Sequence, residues 1–266
     1  MEINEILALY DEQERRLSRH PSYQRQETAE LVRHVHADKT RRSFVIYSDL
    51  TAVNANTIIA REVANYKTIG GNGLEWKTYA HDKPPDLGER LMAHGFVDEG
   101  LETLLVLELE DAPAVLKQPI TADIRRLTAV EQLADVIQIH NQVWGNSLAW
   151  LHDYLAYALE NEGAYWSIYV AYVDDEPACA AWVYFPKSSP FASLWGGATV
   201  EKYRKRGVYT AVIATRLQEA IARGYRFLTV DASDMSRPIL QKRGFRVLGH
   251  TRPYFWSGKQ GVASGA

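Results

Sequence analysis

Residues 192–212 read ASLWGGATVEKYRKRGVYTAV: an apolar strand-like run, a basic loop, a glycine and the start of a long helical pattern. The first N–H groups of a helix lack intrahelical partners, and the helix dipole places partial positive charge there. Arg204, Lys205 and Arg206 add cations just before that start, and Gly207 lets backbone approach a ligand closely. The pattern predicts an anion cradle sized for a pyrophosphate. Upstream, Gly196 and Gly197 interrupt the strand, which predicts a bulge or a close backbone approach there.

Around this stretch the second half reads as alternating strands and helices. Strands are expected over 123–127, 165–173, 178–185, 192–200 and 226–230, with a last strand from Phe245. Helices are expected over 130–143, capped by Thr128 with Glu131 as in a capping box, and over 148–160, 208–223 and 236–242. Asp174-Asp175-Glu176-Pro177 reads as a turn, and Gly224 as a left-handed helix end. The first half carries a weaker copy: strand 43–48, helix 56–67, strand 74–79, helix 87–94, then extended chain over 96–109. Asp82, Leu91, Gly95, Phe96 and Gly100 match Asp231, Leu240, Gly244, Phe245 and Gly249 at a constant offset, the sign of an internal repeat. Prolines 113 and 119 bracket a stretch read as a linker, giving a first domain 1–110, linker 111–119 and second domain 120–266.

Composition bounds the function. The 266 residues are 46% apolar and 24% charged, an ordinary globular mixture, and a net charge of -3 offers no polybasic field for nucleic acid or membrane. The single Cys179 cannot form an intrachain disulfide, and His34 and His36 have no Cys or carboxylate cluster beside them, so no metal is expected. The N-terminus lacks the pattern of a secretory signal, and no run of eighteen apolar residues occurs, so a cytoplasmic protein is expected.

The conjunction of glycine-broken strand, anion loop, helix, strand, helix and Gly-Phe resembles the GCN5-related N-acetyltransferase (GNAT) superfamily over residues 124–255. Its signature of Gln or Arg, two residues, Gly, one residue, then Gly or Ala falls on Arg204 to Tyr209. The resemblance implies an α+β fold: a mixed, mostly antiparallel sheet flanked by helices, with a partial and degenerate second copy in the first half. It implies acetyl-CoA as co-substrate, with the pantetheine arm along Ala198, Thr199 and Val200. The pyrophosphate would then lie on Arg204, Lys205, Arg206, Gly207, Val208, Tyr209 and Thr210. An N–H near Gly197 would serve the thioester carbonyl.

Three residues depart from the family pattern. Tyr209 stands where Gly or Ala is usual, so either the loop is wider or the ring lies along the cofactor. Leu240 occupies the place of the frequent tyrosine acid, and Ser233 that of the usual Asn. Asp231 and Ser233 are the catalytic candidates, with a turn or capping role as the plainer reading of Asp231. Trp144, Trp150, Tyr154 and Trp195 are candidates for an acceptor pocket suited to an apolar or aromatic amine, with core packing as the plainer reading. The matching stretch of the first half, 49–54, has no basic residue and no glycine, so no cofactor is expected there. The function implied is N-acetyl transfer to a small-molecule amine in a ternary complex. A non-catalytic acyl-CoA-binding or partner-binding scaffold is the alternative, and a homodimer the self-association considered.

Overall fold

The computed structural model describes residues 1–39, 41–69, 73–145 and 148–258, and the chain divides into two compact units. The first unit holds 1–104, 231–234 and the closing segment from 247; the second holds 105–230 and 235–246. The units therefore do not follow the expected boundary at 111–119. That stretch lies inside the second unit.

In the first unit α1 (Ile3–Tyr10) runs on into a π-helical turn over Asp11–Arg16. Then come β1 (Tyr23–Glu27), β2 (Leu31–His36), β3 (Ser43–Ser48), α2 (Ala55–Ile69), β4 (Leu74–Tyr79), α3 (Leu87–Ala93), the short β5 (Val97–Asp98) and the first residues, 102–104, of β6 (Glu102–Glu108). The expected extended run over 96–109 is thus broken into two strands, at Gly100, whose φ of 106° only glycine adopts readily. Strands β1, β2 and β3 pair antiparallel in order, and β3 pairs β4 in parallel. Leu31, Val45, Ile59, Leu74, Trp76 and Leu91 close this unit's core.

The 111–119 segment forms a single helical turn, α4 (Ala114–Lys117), and buries Leu116 completely. The Gln218 side-chain amide donates to the carbonyls of Leu116 and Gln118 at 3.0 and 2.7 Å. Two prolines here shape a packed turn instead of a solvated tether, because one apolar residue is anchored and the freed carbonyls find a donor.

The second unit continues with β7 (Asp123–Arg126), α5 (Leu133–Trp144), α6 (Ala149–Asn161), β8 (Trp166–Val173), β9 (Glu176–Tyr184), β10 (Phe191–Thr199), α7 (Val208–Ala222), residues 227–230 of β11 (Phe227–Ala232) and α8 (Arg237–Gln241). The closing strand is β12 (Arg246–Trp256). The predicted cap at Thr128 shifts: a 3-10 turn opens at Val130, and the Gln132 side chain accepts the N–H groups of Thr128 and Ala129 at 2.8 and 3.0 Å. Gln132, not Glu131, is in reach because the turn is capped at Ala129, one residue later, which makes Gln132 its third residue. Asp174 and Asp175 both take positive φ, the geometry of a two-residue hairpin turn between β8 and β9. Strands β7 to β10 pair antiparallel in order, and β10 pairs β11 in parallel.

The order strand, strand, strand, helix, strand, helix therefore occurs twice, as β1-β2-β3-α2-β4-α3 and β8-β9-β10-α7-β11-α8, with α2 and α7 both fifteen residues long. The closing turns agree in detail. Gly95 and Gly244 have φ of 89° and 91°, and Phe96 and Phe245 each donate to the carbonyl of Leu91 and Leu240 at 3.2 Å. Asp82 and Asp231 are not counterparts: Asp82 lies in the turn after β4, Asp231 within β11. The loop leading into α3 is longer than that into α8, so a constant sequence offset aligns unlike positions there.

Candidate active site

The site grows from the bulge in β10. Trp195 pairs with Trp182 and Ala198 with Ala180, so two residues, Gly196 and Gly197, oppose Ala181 alone. Both glycines are required. Gly196 has φ of 61°, and a Cβ there would fall inside the Trp182 ring; a Cβ on Gly197 would meet the Tyr209 ring at 2.9 Å. The β10–β11 register ends at Ser193↔Thr229, and β10 runs on to Thr199 beside β9. Val200 donates its N–H to Ala178, so alternation turns the backbone of Thr199 to the opposite edge, where its carbonyl accepts Arg204 Nε at 3.1 Å. Of the three residues expected along a pantetheine, Thr199 presents its peptide groups to that edge, while Ala198 and Val200 face β9.

Two buried side chains hold the bulge. His140, on α5, sits 3.1 Å from the Gly196 carbonyl through Nε2, and burial lowers its pKa, so the neutral ring donates from Nε2–H. Arg216, on α7 and 1% exposed, donates from Nη1 to the carbonyls of Trp182 and Trp195 at 3.2 and 3.4 Å. Burial lowers the Arg216 pKa, opposed chiefly by the nearby Tyr209 hydroxyl. Neither residue was a sequence candidate. A polar residue on an amphipathic helix reads as solvated, and helical periodicity does not mark the one that reaches through the core.

Downstream, a 3-10 turn over Glu201–Tyr203 leads to Lys205 with φ of 62° and to Gly207 with φ of 82°. Gly207 is the N-cap of α7, which has no capping side chain; the first helical bond runs from Ala211 N–H to the Gly207 carbonyl. The N–H groups of Val208, Tyr209 and Thr210 precede that bond, and the space where a Gly207 Cβ would stand is open. Arg204, Lys205 and Arg206 are exposed around it. Arg243 adds a cation that sequence reading missed, donating from Nη2 to Thr210 Oγ1 at 2.9 Å. Its signal was only a basic residue next to Gly244. Tyr209 itself turns into the sheet, its ring over Gly197 and its hydroxyl beside Arg216, with a pKa raised by burial. An uncapped fifteen-residue helix, two left-handed loop residues and four cations fit a diphosphate.

The other candidates separate. Trp144, Trp150 and Trp195 are 50, 65 and 45% exposed, so these three rings are not core. Tyr154 packs edge-on to Trp166 at 5.9 Å against the second unit's core. Leu240 is wholly buried, and the Cys179 thiol is buried with its pKa pushed up to about 11, too high for a nucleophile. Asp231 and Ser233 belong to the first unit. There Asp231 pairs with Lys77 Nζ at 2.6 Å and accepts Thr251 Oγ1 at 2.9 Å, while Ser233 is exposed. Among the described residues no cluster of metal-ligating side chains occurs, and no helix is long and apolar enough to cross a membrane.

The first unit repeats the geometry with different contents. β3 bulges against β2 at Ile46, between the pairs Val45↔Arg33 and Tyr47↔Val32. Arg15 Nε donates to the Ile46 carbonyl at 3.2 Å, the guanidinium stacks 3.7 Å from the Tyr79 ring centre, and Nη2 donates to both carboxylate oxygens of Asp82 at 2.7 and 2.9 Å. The start of α2 is closed by its own side chains: Asn54 Oδ1 accepts the Thr51 N–H at 2.8 Å, and Thr51 Oγ1 accepts the Asn54 N–H at 3.2 Å.

Residues 117–232 match the family model described as an acetyltransferase (GNAT) domain. Among solved structures, the chain is similar to a GCN5-related N-acetyltransferase from Kribbella flavida, at 15% identity and TM-score 0.67, covering 91% of each chain. A conserved protein of unknown function from Staphylococcus epidermidis is alike at 15% identity and TM-score 0.67, covering 90% of this chain and 95% of that one. A tandem GNAT protein from the clavulanic acid biosynthesis pathway aligns at 10% identity and TM-score 0.60, covering 98% of this chain and 89% of that one. No curated protein matches the sequence. The segment 117–232 thus matches a GNAT acetyltransferase domain, set in a chain whose fold is that of the GNAT acetyltransferases and repeats within itself.

Proposed function

We propose that the protein transfers an acetyl group from acetyl-CoA to the amine of a small molecule, by direct attack in a ternary complex, in the cytoplasm. The observation that carries this reading is the open, uncapped start of α7 directly behind a glycine-lined bulge. Acetyl-CoA supplies an activated thioester. Its diphosphate would be held by the N–H groups of Val208, Tyr209 and Thr210 with Arg204, Lys205, Arg206 and Arg243, and its pantetheine arm would pair with Thr199. The Gly197 N–H would donate to the thioester carbonyl. The exposed rings of Trp144, Trp150 and Trp195 suit an acceptor with an apolar or aromatic body. Both oxygens of Asp231 are engaged by Lys77 and Thr251, so the reading gives amine deprotonation to water.

Calorimetric titration with acetyl-CoA tests the cradle. Reversing Arg204 and Arg206 to Glu should weaken binding about a hundredfold or more, since each charge-assisted contact contributes about 1.5–3 kcal/mol. Equal affinity in wild type and double variant would refute the assignment. Thiol release over a library of amines then separates turnover from silent binding.

A further inference from the structure

The bulge in β10 combines two conditions that pull against each other. Gly196-Gly197 is the most flexible dipeptide a chain can hold, yet an N–H that stabilises developing charge must be fixed before the reaction begins. A register shift also disturbs the ladder around it. Here carbonyls at and beside the bulge accept side chains from two helices: His140 of α5 on Gly196, and Arg216 of α7 on Trp195 and Trp182. A trans peptide unit points its C=O and the following N–H in opposite directions. Fixing the Gly196 carbonyl on His140 therefore aims the Gly197 N–H the other way, and fixing the Trp195 carbonyl on Arg216 does the same for Gly196.

The choice of Arg216 is costly. Among the described residues this fully buried cation has no carboxylate in an ion pair, and its Nη2 has no hydrogen-bond partner. A neutral donor would satisfy the two carbonyls at lower cost, and a group kept against its desolvation penalty points to a task beyond stability. Its positive charge lies beneath the same peptide units.

We propose that His140 and Arg216 are positioning residues for acyl transfer: they clamp the peptide units of 195–197 so that the Gly197 N–H is aimed at the acyl carbonyl. The inference rests on the acetyl-CoA reading above. It is tested with acetyl-CoA isotope-labelled at the thioester carbonyl, followed by difference infrared spectroscopy beside calorimetry. In wild type the bound carbonyl stretch moves to lower frequency. H140F and R216M should keep acetyl-CoA affinity close to wild type, because the phosphate contacts lie elsewhere, yet lose most of that shift. Their kcat with a responsive amine should fall about 10²–10³-fold, the loss typical of one oxyanion donor, with little change in the KM for acetyl-CoA. H140Q, whose amide can donate at the same place, should recover much of the shift. Should H140F not fold, R216M decides alone: it removes the donor to both carbonyls, so a weakened shift supports the clamp and a wild-type spectrum overturns it. Acetyl-CoA bound with the same carbonyl frequency in wild type and variants overturns the clamp alone. Absent wild-type binding overturns the acetyl-CoA reading with it.

Discussion

The two bulged strands, β3 and β10, show how one piece of architecture can be closed or left open. Each is followed by a loop and a fifteen-residue helix, and each has an arginine donating to a carbonyl at its bulge. In β10 the bulge residues are glycines, the helix start is uncapped, and cations surround it. In β3 the bulge is Ile46, the helix start is capped reciprocally by Thr51 and Asn54, and Arg15 lies against the bulge between the Tyr47 and Tyr79 rings. The same backbone thus leaves an open helix start among exposed cations in one unit and is packed interior in the other. The difference lies in a few side chains: two glycines, one cap and the source of one arginine.

The comparison breaks most visibly at Arg15. Its guanidinium is 2% exposed and donates from Nη2 to Asp82, which is 5% exposed. Removing it leaves a buried carboxylate unpaired, a change that costs about 3–5 kcal/mol. R15A should therefore lower the free energy of unfolding by that amount, without creating acetyl-CoA affinity in the first unit. An unaltered unfolding free energy would mean that Arg15 does not hold the β3 bulge shut.

Gly196 tests the open copy. Alanine there meets both a left-handed backbone and the Trp182 ring, so strain of about 1–2 kcal/mol and overpacking of about 1–3 kcal/mol should add. G196A is expected to bind acetyl-CoA poorly as well as melt earlier. I46A at the corresponding bulge leaves the backbone conformation allowed and should cost less. Equal losses at the two positions would erase the distinction between the bulges. A smaller effect separates the helix starts. N54A removes a cap and should cost α2 about 1 kcal/mol by urea denaturation, with acetyl-CoA binding untouched.

Much of this was legible in the sequence, and the gaps have physical causes. The Gly-Gly break, the basic loop and the Gly-Phe closures were readable because glycine and proline report backbone conformation directly. The β1–β2 hairpin was missed as an element. Residues 23–27 read YQRQE, and the face of β2 that closes inward includes His34 and His36, so neither strand shows apolar alternation. His140, Arg216 and Arg243 were missed for a related reason. Each is a polar residue whose role depends on what lies across from it, which one strand of sequence does not reveal. Domain limits read from prolines miss because segments from 231 and 247 onward return to the first unit, and a linear reading assumes contiguous units.

The smallest effect concerns how Arg15 is held. Asp11 lies 2.7 Å from Arg15 Nη1 and 2.6 Å from His81 Nε2. The hydrogen bond to Asp11 raises the His81 pKa, against the pull of burial. Burial would raise the Asp11 pKa, but the bond to His81 and the charge of Arg15 outweigh it and lower it. A histidine with a raised folded pKa lends stability that is fully present below its unfolded value of about 6.5 and disappears as pH rises through the folded value. The Asp11 contribution has the opposite sign, present above about 3.9 and lost in acid. The pair is therefore strongest in the weakly acidic window between those limits. Because His81 is partly exposed, its share should stay below about 1 kcal/mol. Wild type should melt higher than H81Q at about pH 5 and equally at about pH 8.5 if this bond tightens the closed bulge. A gap between them that is constant with pH would assign His81 to packing alone, and would leave Asp82 as the carboxylate that sets the position of Arg15.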